Sequence, residues 1–158
     1  MRRMVVLSAV VLALLAGCGK PKTALGTVAS VVTAPELTSV WNQMPDQKWP
    51  PEGSYVEQKA KPRDGNAWLV VVFEQEKGEL SFDTRQYQLA VEGEAAPVPC
   101  WGASANGGKQ FILDSLTRPA QTAEVQGMRL RPALAFEVPA AAHAGTLTVA
   151  KTQVPLRW

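Results

Sequence analysis

Polar and apolar residues alternate with a period of two over much of the chain, and the departures from that period are as informative as the rule. Residues 25–32 set Val28, Ser30 and Val32 against Thr27, Ala29 and Val31, a β-branched run that Pro35 terminates, and they read as a first strand. Residues 86–91 alternate most cleanly. Tyr87, Leu89 and Val91 share one face and Gln86, Gln88 and Ala90 the other, as in a strand with one wet side. Residues 67–73, Ala-Trp-Leu-Val-Val-Val-Phe, do not alternate at all. An unbroken apolar run of mostly β-branched and aromatic residues suits a strand buried on both faces, which makes this the expected central strand. Weaker alternation marks residues 55–60, expected at a sheet edge, and residues 96–101, 110–113, 133–138 and 146–151.

Turn residues punctuate these segments. Pro62-Arg63-Asp64-Gly65 combines a preset φ with a residue that accepts the left-handed region. Residues 76–79 turn the chain, and Glu92-Gly93-Glu94 joins residues 86–91 to 96–101 as a hairpin. Asn106-Gly107 is the strongest short turn signal present. Pro139 closes the segment 133–138, residues 140–145 turn, and Trp158 is expected to pack back on the body. Residues 37–55 hold Trp41, Pro45, Trp49, Pro50, Pro51 and Gly53 with no sustained period, and read as a long loop or short edge segments. Residues 117–126 admit a short helical turn. Six to eight short strands, turns about every ten residues and no long helix predict an all-β fold, an antiparallel sandwich, without internal repeats.

The N-terminus follows a different pattern. Met1-Arg2-Arg3 precedes an apolar run from Met4 to Ala16, then Gly17 and Cys18, the order of a secretory signal peptide. The run is shorter than the roughly 20 residues a transmembrane helix needs. Leu15-Ala16-Gly17-Cys18 resembles the bacterial lipobox at all four positions. The resemblance implies cleavage before Cys18 and lipidation of its thiol with a diacylglycerol, its amine being open to acylation too. A plain signal peptide leaving a free Cys18 is the weaker alternative, because Leu15 favours the lipobox. The expected organisation is a signal peptide at 1–17, lipidated Cys18 with a tether to residue 23, and a domain over 24–158. Gly19, in place of Asp, matches outer-membrane sorting where two membranes exist.

Removing residues 1–17 changes the charge balance. Lys plus Arg falls from 16 to 14 while Asp plus Glu stays at 14, so the net charge falls from +2 to 0. No basic surplus remains to attract nucleic acid or anionic lipid, and no nucleic-acid partner is expected. Cys100 would be the one remaining thiol. A small buried hydrophobe is the plain reading of Val98-Pro99-Cys100-Trp101, and an intermolecular bridge or redox role the sharper one.

The parts needed for catalysis are scarce. His143, the one histidine, sits in an alanine-rich turn, and Gly102-Ala103-Ser104-Ala105-Asn106 is not a G-x-S-x-G elbow. Paired cysteines, H-E-x-x-H and a calcium loop are missing, so neither metal nor cofactor is expected. The glycines from Gly102 to Gly108 fit a hairpin tip better than a phosphate loop, since Gln110 stands where Ser or Thr would hold magnesium. Recognition falls to tryptophan. Trp68 and Trp101 read as packing residues, whereas Trp41 and Trp49, in a polar proline-rich stretch, are the candidate contacts for a ligand or partner, or else caps on the end of the sandwich.

Three stretches resemble the immunoglobulin-like (telokin-like) domains of unknown function that recur in bacterial lipoproteins. They are the apolar run 68–73, the strand and turn 86–94, and the pair 133–139 and 145–149, with Phe136-Glu137-Val138-Pro139 at its centre. Glu74-Gln75-Glu76-Lys77-Gly78 replaces the family's usual Asn-rich turn. The resemblance implies an immunoglobulin-like β-sandwich and says nothing of activity. The expectation is a lipid-anchored, non-enzymatic domain of the cell envelope that binds protein or assists envelope assembly. A carbohydrate or peptidoglycan binder using exposed tryptophans is the alternative, and a small hydrolase a distant third.

Overall fold

Every element but one in the described part of the chain is a strand. The computed structural model describes residues 21–42, 55–75, 80, 83–112 and 131–158. Along these run β1 (Lys22–Thr23), β2 (Gly26–Ala34), β3 (Leu37–Asn42), β4 (Tyr55–Ala60), β5 (Asn66–Glu74), the 3₁₀ turn η1 (Thr84–Gln86), β6 (Tyr87–Val91), β7 (Val98–Ser104), β8 (Phe111–Ile112), β9 (Ala133–Pro139), β10 (Ala144–Val149) and β11 (Thr152–Arg157). The signal segment, Cys18, Trp49, the turn at 76–79 and the helical turn at 117–126 lie outside the described residues.

β5 is central, as its apolar run predicts. It pairs antiparallel with β2 from Thr27↔Glu74 to Ala34↔Trp68, and with β9 from Asn66↔Pro139 to Val72↔Ala133. Both faces of β5 are covered. Leu69, Val71 and Phe73 join Leu134, Phe136 and Val138 of β9 in a larger core with β6, β10 and β11. Trp68, Val70 and Val72 face the other way into a smaller core with Leu37, Phe111, Ala133 and Ala135. Full burial of side chains of this size contributes about 1.5–3 kcal/mol each, so this strand outweighs any other in holding the fold.

β7 connects two ladders. Its first residues pair with β6 (Gln88↔Pro99, Leu89↔Val98), and from Cys100 onward it pairs with β9. The register slips by one between Cys100 and Gly102, leaving Trp101 as a bulge residue. β6 continues through β10 to β11, so the strand order is β1-β2-β5-β9-β7-β6-β10-β11, with β3, β4 and β8 branching from β7.

The architecture is all-β, with four differences from the sequence expectation. One ladder, β3 with β8, is parallel, so the sheet is mixed and not wholly antiparallel. Part of the irregular stretch 37–55 is a full strand, β3, held by six paired positions with β4. Cross-strand pairing there overrides a sequence that lacks a clear period. The chain also ends in a strand, β11, that the prediction closes before: Val154 and Leu156 point into the core while Gln153, Pro155 and Arg157 are exposed. Pro155 is tolerated because, among the described residues, β11 pairs on one edge only, with β10. Trp158 packs against the larger core, and its backbone N–H donates to the His143 carbonyl at 3.0 Å. The sheet takes up the chain at Lys22, two residues before the expected domain boundary.

Candidate functional site

The crossing of β7 between ladders opens a surface groove of about 620 Å³. Tyr87 of β6 and Val98, Pro99 and Trp101 of β7 supply its apolar lining, and Gln88 of β6, Glu137 of β9, Arg63 and Arg85 its polar rim. This volume lies within the range typical of small-ligand pockets.

Trp101 owes its position to the bulge and to alanine. It meets Trp68 with ring centroids 4.5 Å apart and planes tilted by 44°. The two indoles belong to strands on either side of β9, and Ala135, a buried alanine on that strand's same face, leaves them room to meet. Trp68 is 2% exposed, and its Nε1 donates to the Ala60 carbonyl at 3.0 Å. A fixed ring thus backs Trp101, which is half-buried and contributes the rest of its indole to the groove.

Two ion pairs shape the rim. Glu137 Oε1 accepts from three donors: Arg63 N at 2.7 Å, Arg63 Nε at 2.9 Å and Asn66 Nδ2 at 2.9 Å. Partial burial would by itself raise the Glu137 carboxyl, but the donors from Arg63 and Asn66 outweigh it and hold it below its ordinary value. Arg85 grips Asp83 with two parallel bonds, Nε to Oδ1 at 2.7 Å and Nη2 to Oδ2 at 2.8 Å, and its hydrogen bonds lower the Asp83 carboxyl. Because both arginines are exposed, the Coulombic part of each pair adds little stability, and the converging hydrogen bonds hold the two carboxylates in place at the groove.

The other residues with chemical potential lie elsewhere or are closed off. Cys100 is 6% exposed, and burial pushes its thiol up to about 12, against smaller opposing effects from the backbones of Gly102 and Ala135. A thiol with that value is neutral at physiological pH and a poor nucleophile. This agrees with the plain reading of Cys100. His143 is exposed in the turn before β10. The glycine-rich stretch after β7 is a self-satisfied loop: Ser104 Oγ accepts from Asn106 N at 3.3 Å and Gly108 N at 3.0 Å, and Asn106 Oδ1 accepts from Gln110 N at 3.1 Å. Among the described residues no group of three His, Cys, Asp or Glu could hold a metal ion.

Of the two tryptophans singled out from sequence, Trp41 lies in β3 with its backbone opposite Val56, and Trp49 is outside the described residues. The structure places Trp101, read from sequence as a packing residue, against Trp68 and in the lining of the groove. The available signal was Cys100-Trp101-Gly102-Ala103-Ser104, which shows no two-residue alternation; in the structure four of the five are buried around the bulge. Set against protein-family models, curated proteins and solved structures, the chain matches none.

Proposed function

We propose that this protein is a bacterial lipoprotein whose Cys18 carries the lipid, and whose residues 24–158 form an immunoglobulin-like (telokin-like) β-sandwich. It acts by binding, in protein recognition or envelope assembly, and not by catalysis. The signal pattern and the Leu15-Ala16-Gly17-Cys18 match support the anchor. The two ladders that share β7, with a core between them, support a sandwich. The observation that carries the binding role is the groove, which pairs an immobilised, half-exposed indole with a rim of fixed polar groups.

The location follows from the anchor. The lipidated chain sits in the outer membrane facing the periplasm where two membranes exist, and otherwise on the outer face of the plasma membrane. Because β1 begins at Lys22, three residues separate it from Cys18, about 10 Å when extended. The domain therefore works within its own height of the membrane.

Labelled palmitate tests the anchor. Label is expected on the parent protein and lost on Cys18→Ala, together with membrane flotation; label persisting on Cys18→Ala would refute the reading. A panel of ester and glycoside substrates is expected to show no turnover, and turnover by the purified protein would refute the non-enzymatic role.

A further inference from the structure

We propose that the groove beside β7 binds a neutral oligosaccharide, with a pyranose ring seated against Trp101. The proposal rests on the binding-module reading above and gives that site a ligand class.

The aromatic wall is suited to a sugar. The axial C–H bonds of a pyranose make an apolar patch that fits an indole face, while its hydroxyls point outward to polar partners. Trp101 is held from behind by Trp68, itself buried and hydrogen-bonded to Ala60, so little ordering remains to be done when a ligand arrives. Pro99 and Val98 extend the apolar surface next to it.

The polar rim decides between ligand classes. Each hydroxyl of a sugar both donates and accepts, and the rim supplies both functions. Glu137 spends Oε1 on three donors and has no hydrogen bond at Oε2 among the described residues. Among the described residues Arg63 uses its backbone N and Nε and no group meets its terminal amino groups, and its side chain is 80% exposed. Gln88 is exposed beside them and offers a donor and an acceptor. Charge argues the same way. Each guanidinium at the rim is already matched by a carboxylate, Arg63 by Glu137 and Arg85 by Asp83. A phosphate or sulfate at either arginine would sit beside a carboxylate that already offsets the charge, and a cation beside an arginine. A neutral polyhydroxy ligand disturbs neither pair.

The experiment uses the full lipidated protein in a detergent without sugar headgroups, titrated with chitotetraose, cellotetraose and maltotetraose. Heparin tetrasaccharide and a decaproline peptide serve as the anionic and peptide probes. Calorimetry and tryptophan fluorescence report binding. At least one neutral tetrasaccharide is expected to bind and shift the indole emission, and heparin and decaproline are not. Trp101→Ala is expected to weaken binding roughly tenfold or more, as loss of an aromatic anchor does. Because Trp101 also packs on Trp68, Gln88→Ala provides a variant at an exposed position. It should keep the parental melting temperature and weaken binding about threefold or more, the loss of a net hydrogen bond. The proposal is overturned if no neutral tetrasaccharide binds, or if Gln88→Ala and a folded Trp101→Ala bind like the parent. Binding of heparin or decaproline with loss on Trp101→Ala would overturn the sugar class while leaving a binding module. Palmitate labelling of Cys18 is independent of all these outcomes.

Discussion

Gly26 offers the most demanding test of the packing argument. It opens β2 directly after the turn in which Thr23 pairs with it, Leu25 N donates to Thr23 Oγ1 at 3.0 Å, and Thr23 Oγ1 donates to the Gly26 carbonyl at 2.9 Å. Its φ is +103°, and a Cβ added there would stand 2.0 Å from the Glu74 carbonyl oxygen and 2.8 Å from its carbon. Both are backbone atoms of β5, so the methyl of Gly26→Ala can be admitted only if the β2–β5 ladder parts by about an ångström. Backbone strain of about 1–3 kcal/mol adds to an overpacking cost of about 1–3 kcal/mol, for a total of roughly 2–6 kcal/mol. At this chain length, 1 kcal/mol shifts the melting midpoint by about 2–4 °C, so a fall of roughly 4–24 °C is expected. Gly65 is the matched control: its φ is +82°, but nothing lies within 4 Å of an added Cβ. Gly65→Ala carries the backbone cost alone, about 1–2 kcal/mol, or roughly 2–8 °C. Thermal melts followed by far-UV circular dichroism, with urea midpoints alongside, measure both. A Gly26→Ala midpoint no lower than that of Gly65→Ala would refute the claim that contact with β5, rather than φ, makes this glycine necessary.

Three further outcomes follow from single residues. Ala150, the first of two residues joining β10 to β11, has φ +53°, where an alanine carries about 1–2 kcal/mol of strain. Ala150→Gly should therefore raise the melting midpoint by a few degrees, and a lower midpoint would count against that account. In a Cys18→Ala background, native Cys100 should react with maleimide at pH 8 roughly 10³-fold more slowly than an ordinary thiol, since a value of about 12 leaves that much less thiolate; urea should abolish the difference. Glu137 is held below its ordinary carboxyl value, so its ionised form stabilises the fold above the unfolded-state value of about 4. That stabilisation disappears as pH falls through the folded-state value. Glu137→Gln should melt below the parent at pH 6–8, with the gap closing under acid; a gap that does not change with pH would refute the role given to the Arg63 and Asn66 hydrogen bonds.

The sequence by itself determined the class of structure. An apolar run without alternation, residues 67–73, can be satisfied only by a strand with cover on both sides, and β5 has that cover. The clean alternation of Tyr87, Leu89 and Val91 against Gln88 and Ala90 likewise fixed which face of β6 is buried. These are local consequences of a two-residue period and the preference of apolar groups to leave water. Where pairing partners carry the information, the sequence is mute. β3 became a strand through six paired positions with β4, and β11 through six with β10, despite Pro155. The candidate site depends still more on tertiary structure. Trp101 faces a groove because the register slips between Cys100 and Gly102 and because Ala135, on another strand, is small enough for two indoles to meet. Glu137 meets Arg63 across 74 positions of sequence, a distance over which no local pattern operates. A one-residue slip moves a side chain from one face of a sheet to the other, and only the partner strand decides where that slip falls.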